Sequence, residues 1–190
     1  MKTRLGILIS GGGSNMRSIA NACEQSNFPA QISLVLSNNP DAKGLQFARE
    51  LGLQTSIVDH RNFSAREDFE QEIQRHLIKA KVEMVCLAGF MRILSPFLVG
   101  EWQGKMLNIH PSLLPKFRGL DTHRRALDAK EKTHGCSVHF VTTGLDQGPV
   151  IAQSAVPVLA DDTTQALQAR VLNAEHLLYS RIIKQLCRQL

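Results

Sequence analysis

Apolar and polar positions along the chain follow two alternating patterns. Continuous apolar runs at residues 5–9, 32–36 and 84–88 predict β-strands that are covered on both faces, and a shorter run near residues 55–58 predicts another. Between these runs, apolar residues recur at spacings of three and four, the period of an amphipathic helix. Strands that alternate with helices favour a parallel sheet with right-handed crossovers.

Three helices are predicted in the first half of the chain. One spans residues 15–25, a second runs through residues 45–51, and a third follows a capping-box signature formed by Ser64 and Glu67. The apolar face of the third is predicted to consist of Phe69, Ile73, Leu77 and Ala80.

The last third of the chain changes character. Residues 137–141 and 150–158 predict two strands whose short connection leaves no room for a crossover helix, so these strands should run antiparallel. A long helix follows, with Asp161 or Asp162 as its N-cap. Its apolar face is predicted to consist of Leu167, Val171, Ala174, Leu178, Ile182 and Leu186.

These patterns together predict the α/β fold class. We expect a Rossmann-like three-layer domain with a mostly parallel central sheet, an antiparallel C-terminal strand pair and a long C-terminal helix. No internal repeat, low-complexity segment or linker interrupts the sequence, so residues 1–190 are expected to form a single domain.

Composition narrows the class of protein further. The 190 residues are 43% hydrophobic and 21% charged, which is typical of a soluble globular domain. Neither a signal peptide nor an apolar run of membrane-spanning length is found, so we expect a cytoplasmic protein without a membrane partner. The four cysteines are far apart, form no metal-ligand spacing and are expected to be reduced.

The net charge of +5 is mild, and its densest basic patch runs from Lys116 to Arg125. A solvated surface, attraction of anionic small molecules and contact with nucleic acid are three interpretations of this patch. The patch lacks interleaved aromatic residues, and the whole chain has one Trp and one Tyr, so nucleic acid is the least favoured partner.

The segment from residue 105 to 115 is the most informative part of the chain for chemistry. Asn108 and His110 lie on one face of a predicted strand that Pro111 ends. Open α/β sheets bind ligands at the carboxyl ends of their strands. There an amide can stabilise an oxyanion and an imidazole can move protons near neutral pH. The alternative is a capped strand end whose polar groups bond the following turn.

Residues 10–15 form a glycine-rich turn between the first strand and the first helix. Glycines let the backbone approach a ligand, and free N–H groups at a helix start favour an anion. The second glycine pair of a dinucleotide fingerprint and the Walker lysine are both missing, so a single phosphate is favoured over a dinucleotide. A tight turn is the alternative interpretation.

Asp146 lies in the loop between the last two predicted strands. A carboxylate beside His110 would fix its tautomer and raise its pKa. Asp before Gln-Gly-Pro is also good turn chemistry, and spacing alone does not bring Asp146 to His110.

Four segments occur in a fixed order, at residues 10–15, 89–96, 108–115 and 135–141. Their sequences SGGGSN, GFMRILSP, NIHPSLLP and GCSVHFV resemble those of the phosphoribosylglycinamide formyltransferase family, folate-dependent enzymes of purine (IMP) synthesis. The resemblance covers residues 5–179. The Asn-x-His-Pro segment and the Asp146 loop are shared by a wider formyltransferase group, whereas the segments at residues 10–15 and 89–96 are more specific.

The resemblance implies transfer of a formyl group from 10-formyltetrahydrofolate to the amine of glycinamide ribonucleotide. Asn108, His110 and Asp146 match the family's catalytic residues. Direct amine attack would create an oxyanion that Asn108 and a protonated His110 stabilise, and His110, held by Asp146, would pass a proton to N10 of the folate. The reaction needs neither a metal nor a covalent enzyme intermediate.

The resemblance also implies two binding regions. Residues of about 1–100 would hold the substrate phosphate, through Gly13, Ser14 and Asn15, and Glu175 would contact its ribose or amine end. Residues of about 85–160 would carry catalysis and much of the folate site. The implied folate contacts are Arg66, Met91, Arg92, Ile93, Leu94, Asn108, Thr142, Thr143, Gly144, Leu145 and Asp146.

Some positions depart from the family pattern or have bland alternatives. Leu172 stands where some members have a polar amide, which weakens the implied contacts with the ribose of the substrate. Residues 117–121 vary from the family sequence, so the resemblance does not define the contacts of that loop. Arg66 could equally be an exposed residue in a first helical turn. Ser137 could position a water molecule or simply be satisfied locally. His123, His134 and His139 are interpreted as structural or surface residues.

Three alternative functions are weighed. Methionyl-tRNA formyltransferase would need a further C-terminal domain, and formyltetrahydrofolate hydrolase an additional N-terminal one, for which this sequence leaves no space. A non-catalytic nucleotide-sensing module on the same fold is the third. The presence of Asn108, His110 and Asp146 together favours the transferase, which we expect to act on small molecules as a monomer or weak homodimer.

Overall fold

The computed structural model describes residues 2–189 as seven strands and six α-helices around one sheet. The strands are β1 (Thr3–Ile9), β2 (Ala30–Ser37), β3 (Thr55–Ile57), β4 (Met84–Leu87), β5 (Met106–His110), β6 (Thr133–Phe140) and β7 (Val150–Pro157). The helices are α1 (Ser14–Cys23), α2 (Lys43–Glu50), α3 (Arg66–Lys79), α4 (Pro96–Glu101), α5 (Thr122–Asp128) and α6 (Thr164–Leu186).

The sheet has the strand order β3-β2-β1-β4-β5-β6-β7. The first five strands of this order are parallel, and β6 runs antiparallel to both β5 and β7. The predicted fold class is therefore confirmed, including the antiparallel strand pair and the long C-terminal helix. Chain order reverses between β1 and β4, and an open α/β sheet has its ligand crevice at such a switch point.

Apolar side chains fill both faces of the sheet. On one face, Ile7 and Ile9 of β1 pack with residues of α1, α2 and α6. On the other, Leu8 packs with Ile73 and Leu77 of α3 and with residues of α4. Successive side chains of a strand point to opposite faces of the sheet. Because burying each Leu or Ile contributes about 1.5–3 kcal/mol to stability, this alternation determines which helices cover which face.

The ends of two helices differ from the prediction. The N-cap of α6 is Thr163, whose hydroxyl accepts the Ala166 N–H, and Asp161 and Asp162 lie before it. Asp162 instead accepts the Leu159 N–H and pairs with Arg170, which competes with capping. The predicted capping box of Ser64 and Glu67 is also wrong, because α3 begins at Arg66 with Ala65 at its N-cap and no side-chain cap.

Candidate active site

Three strand ends lie side by side at the switch point. Leu8 of β1 is paired with Leu87 of β4, which is paired in turn with Asn108 of β5. The glycine loop after β1, the loop that begins at Gly89 and the Asn108–His110 strand end therefore share one edge of the sheet. Each of the predicted site segments of the first 115 residues, apart from Arg66, approaches this edge.

The glycine loop leaves the N-terminus of α1 open. Gly13 is the N-cap, with a left-handed φ of 73°, and no side chain caps the helix. A Cβ at Gly13 would lie 2.7 Å from the Gly44 Cα atom, so only glycine fits there. Added Cβ atoms at Gly11 and Gly12 would instead meet open space. The loop thus presents unencumbered backbone N–H groups at the positive end of a ten-residue helix, which suits an anion.

An open cavity of about 350 Å³ lies over this loop. Its lining comprises Ser10, Gly11, Gly12, Gly13, Ser14, Asn15, Ala88, Gly89, Met91 and Gln168. Gln168, on α6, was missed by sequence reasoning, because an exposed amide on a helix carries no signal of its own. The cavity connects the predicted phosphate residues with Met91 of the predicted folate segment.

Asn15 and Glu175 are brought together behind the loop. The Asn15 amide donates to Glu175 Oε2 at 2.6 Å, and both side chains are buried. Burial raises the pKa of Glu175 to about 7, although the hydrogen bond from Asn15 offsets part of that effect. Asn15 Oδ1 is buried and has no hydrogen-bond partner in the described chain. A protonatable carboxyl therefore lies directly behind Asn15, which lines the cavity.

Four side chains of β5, β6 and the loop after β6 form a second polar cluster, in which Asn108 is half-buried and the other three are buried. Asp146 Oδ2 lies 3.4 Å from His110 Nδ1, and Asp146 Oδ1 lies 3.7 Å from His139 Nε2. Asn108 Nδ2 lies 3.2 Å from the same His139 Nε2. The structure thus brings Asn108, His110 and Asp146 into one cluster, with His139 as the link between Asn108 and Asp146.

His139 is the member of this cluster that the sequence analysis interpreted only as a structural or surface residue. It is buried rather than exposed, and it lies opposite Asn108 in the antiparallel register of β5 and β6. Its Nδ1 is 2.8 Å from the Phe140 carbonyl, which can only accept, so Nδ1 carries the proton and Nε2 accepts from the Asn108 amide. His139 therefore orients the amide of Asn108.

The protonation of His110 follows from its two contacts. Its Nε2 lies 2.9 Å from the Phe117 carbonyl, so this nitrogen carries a proton and the Nδ1 lone pair faces Asp146. Burial lowers the pKa of His110, while the Phe117 carbonyl and the Asp146 carboxylate oppose the shift without reversing it. Asp146 acts in the predicted direction, but burial outweighs it.

Asp146 is held in its ionised form. Burial by itself would raise its pKa, but contacts with His139, the Gly119 N–H and His110 outweigh burial, and the pKa of Asp146 is lowered. The Gly119 N–H donates to Oδ2 at 2.9 Å. At neutral pH the cluster therefore holds a carboxylate beside a neutral imidazole that would be stabilised on protonation.

The remaining predicted folate residues are mostly exposed at the rim of this region. Arg66 is the first residue of α3 and is exposed, as are Met91, Arg92, Ile93, Thr142, Thr143 and Leu145, whereas Leu94 is buried and Gly144 half-buried. The Met91 N–H donates to the Ser10 hydroxyl at 2.7 Å, so the folate segment and the glycine loop are directly joined. Nothing beyond its helix position connects Arg66 to the rim.

Ser137 is satisfied locally. Its hydroxyl donates to the Ser112 carbonyl at 2.6 Å and accepts from the Leu114 N–H at 3.0 Å, and the side chain is fully buried. Ser137 thereby fixes the turn that follows His110, and the two residues are paired in the strand register.

The cysteine thiols of the described residues are not activated for nucleophilic chemistry. The four cysteines are free, and burial raises the pKa of the Cys23 and Cys136 thiols to about 12, so these thiols are poor nucleophiles. No group of three His, Cys, Asp or Glu side chains within residues 2–189 is arranged to hold a metal ion. No helix in the same range combines the length and apolar character that a membrane crossing requires.

Comparison with known proteins places the chain in a family. A family model described as formyl transferase matches residues 3–183. Phosphoribosylglycinamide formyltransferase of Escherichia coli (strain K12) is 46% identical over 177 residues, which is 93% of this chain and 84% of that protein. The trifunctional purine biosynthetic protein adenosine-3 of Drosophila melanogaster is 44% identical over 187 residues, but the chain spans only 14% of its length.

Solved structures agree with this assignment. Phosphoribosylglycinamide formyltransferase from Brucella melitensis superposes with a TM-score of 0.95 at 46% identity, covering 98% of this chain and 96% of that one. Glycinamide ribonucleotide transformylase 1 from Symbiobacterium toebii gives a TM-score of 0.96 at 40% identity, covering 99% and 89%. With its fold and its relatives in agreement, the chain belongs to the formyl transferase family.

Proposed function

We propose that this protein transfers a formyl group from 10-formyltetrahydrofolate to the amine of glycinamide ribonucleotide, a step of purine synthesis. The observation that carries the proposal is the joining of two features at one sheet edge. One is the open loop at Gly13, and the other is the polar cluster of Asn108, His110 and Asp146. The names of the similar proteins support the same reaction.

The proposed chemistry uses the cluster as a proton relay beside an oxyanion donor. The amine nitrogen attacks the formyl carbon, and the Asn108 amide donates to the oxygen on which negative charge develops. Neutral His110 takes up the proton that the amine loses and returns it to N10 as the bond from N10 to the formyl carbon breaks. Asp146, 3.4 Å from His110 Nδ1, stabilises the transient imidazolium.

The ribonucleotide is proposed to bind along the glycine loop. Its phosphate would accept N–H bonds from Gly13, Ser14 and Asn15 at the start of α1. Because the Asn15 side-chain amide already donates to Glu175, the contribution of Asn15 to the phosphate would come from its backbone. Glu175 would contact the ribose or amine end of the substrate.

The folate is proposed to lie on the exposed segments that flank the cluster. The pterin would bond backbone groups of residues 91–94 and 142–146, between apolar side chains such as Met91, Ile93 and Leu145. Arg66 would meet a carboxylate at the glutamate end, for which a guanidinium fork is suited.

The test is to follow 10-formyltetrahydrofolate consumption by absorbance, with and without glycinamide ribonucleotide. We expect consumption only when the amine is present. Consumption without amine would indicate formyltetrahydrofolate hydrolysis, and none in either case would indicate a nucleotide-sensing module. His110→Ala should lower kcat by about 10²–10⁴-fold while the ribonucleotide Kd stays unchanged. Near-normal turnover of this variant would refute the role of His110.

Several further points of the proposal concern the protein as a whole. We propose a cytoplasmic monomer or weak homodimer in which residues 1–190 form one catalytic domain. Within it, the phosphate-binding half comprises residues of about 1–100, and the folate-binding and catalytic half those of about 85–160. The free thiols, three of which are buried and one half-buried, are compatible with a reducing compartment.

A further inference from the structure

The carboxylate of Glu70 is buried beside apolar residues of α3, and the proposed chemistry gives it no role. Glu70 lies on α3 with none of its surface exposed. The ion pairs within residues 2–189 do not include it. A carboxylate in such a place is costly unless hydrogen bonds satisfy it.

Ser95 supplies those hydrogen bonds. Its N–H donates to Glu70 Oε1 at 2.7 Å, and its hydroxyl donates to Glu70 Oε2. The same hydroxyl accepts the Phe97 N–H at 3.2 Å and so caps α4. Both oxygens of Glu70 are therefore used to fix one residue, which lies where the loop of residues 89–94 ends and α4 begins.

The loop of residues 89–94 has little else to hold its exposed part. The Met91 and Ile93 side chains are 67% and 58% exposed, so packing does not fix them. The Met91 N–H bond to Ser10 holds the first half of the loop, and the Ser95 bonds to Glu70 hold its far end. Phe90 and Leu94 are buried, so the exposed residues 91–93 lie between two packed side chains and the two polar contacts.

Glu70 also lies one helical turn after Arg66 on α3, at the i+4 position. A helix of this kind is a rigid spacer, with a rise of about 1.5 Å per residue. Fixing Glu70 to Ser95 therefore fixes Arg66 relative to the loop. Ile73 of α3 and Leu94 of the loop also belong to one buried apolar cluster, and the Glu70 contact adds directional hydrogen bonds to that packing.

We propose that Glu70 is a positioning residue of the folate site, which sets the separation between Arg66 and the loop of residues 89–94. This inference rests on the proposed function, because it takes both elements to contact the same folate. Glu70 itself touches no substrate. Its effect is pre-organisation, so that binding does not require the loop to be ordered first.

The test compares substitutions on the same helix. Glu70→Ala should raise the KM for 10-formyltetrahydrofolate about tenfold, as expected when a binding element moves by about 1 Å or less, and leave the KM for the ribonucleotide unchanged. Glu70→Gln should recover part of the loss, because its amide oxygen still accepts the Ser95 N–H. Ser95→Ala provides the reciprocal test of the same contact from the loop side.

Ile73→Val is the matched control for a purely structural effect. Ile73 lies on α3, is fully buried in the apolar cluster between α3, α4 and the sheet, and has no hydrogen bond from its side chain to the loop of residues 89–94. It should lower Tm without changing the folate KM. If Glu70→Gln and Ser95→Ala lower Tm as Ile73→Val does, and the folate KM stays at the wild-type value, Glu70 is only structural and the inference is wrong.

A double-mutant cycle with Arg66→Ala measures directly whether Glu70 sets the position of Arg66 relative to the loop of residues 89–94. We expect Arg66→Ala to weaken folate binding less in the Glu70→Gln background than in the wild type, and additive effects would overturn the inference. Folate Kd values from calorimetry serve here, since they do not depend on turnover. Wild-type protein that binds folate without transferring formyl would refute the proposed function alone, whereas active wild type with additive variants would refute only the role of Glu70.

Discussion

Glu175→Gln should make the protein more stable than the wild type at pH 8, and the gain should vanish near pH 4.5. Burial raises the pKa of Glu175 from 4.5 to about 7. A folded-state pKa above the unfolded value means that the stabilising, protonated form is fully present below pH 4.5 and is lost as pH rises through 7. At about 1.4 kcal/mol per pKa unit, the wild type loses about 3 kcal/mol across this range.

The glutamine variant should escape this loss because it carries no charge. Its amide oxygen can still accept from Asn15 Nδ2, as Glu175 Oε2 does at 2.6 Å. Its amide nitrogen can also donate to Asn15 Oδ1, which has no partner among the described residues. The substitution therefore keeps the packing and the hydrogen bond while removing the buried carboxylate.

The measurement is urea unfolding of wild type and variant at pH values from 4.5 to 9. The difference in unfolding free energy should grow in favour of the variant through this range, toward about 3 kcal/mol above pH 8. Histidines that titrate in the same range are present in both proteins and cancel in the difference. Glu24→Gln, at an exposed position, is the control and should show a small difference independent of pH.

A constant difference between the two proteins at all pH values would refute this reasoning, because it would mean that Glu175 is ionised without penalty. The variant should also have a higher KM for the ribonucleotide. A residue that costs stability and serves binding is a familiar compromise at functional sites.

Three further substitutions test other parts of the site. Asp146→Asn should lower the His110 pKa in an NMR titration, since the carboxylate opposes the effect of burial; an unchanged pKa would remove the coupling. Gln168→Ala should raise the ribonucleotide KM about threefold to tenfold, the worth of one hydrogen bond, and Gln165→Ala on the same helix should not. Ser10→Ala removes the acceptor of the Met91 N–H and should weaken folate binding about fivefold by fluorescence quenching; equal Kd values would show that the two loops are independent.

The strands of the fold were predictable because buried strands leave continuous apolar runs. All seven strands lie at the predicted places. The short helices α4 and α5 were not predicted, since six or seven residues give too few repeats for a helical period to be recognised. The first residue of α6 was misplaced because Asp161, Asp162 and Thr163 are all good N-caps. The pairing of Asp162 with Arg170 leaves Thr163 as the N-cap.

The site was predictable only in part, for a similar reason. Alternation alone places Asn108 and His110 on one face of a strand. The position of Asp146 beside His110 depends on the conformation of a loop in which Asp146 has a left-handed φ of 51°. No pattern in the sequence predicts that conformation. His139 became evident only from the register of β5 and β6, although its alternation with Ser137 was a signal that could have been used. The burial of Glu70 was not predictable from the sequence, because a glutamate on a helix is ordinarily exposed to solvent.

The raised pKa of Glu175 also links ligand binding to proton release. Because burial raises its pKa to about 7, this carboxyl still binds a proton in part of the free protein near neutral pH. A substrate amine that arrives as an ammonium ion would favour the carboxylate, so binding should release a fraction of a proton near pH 7. Calorimetry in two buffers of different ionisation enthalpy measures this release, and Glu175→Gln should remove it while leaving any contribution of the phosphate. Equal release in both proteins would mean that the amine does not approach Glu175, and the substrate would then have to lie in the cavity in another orientation.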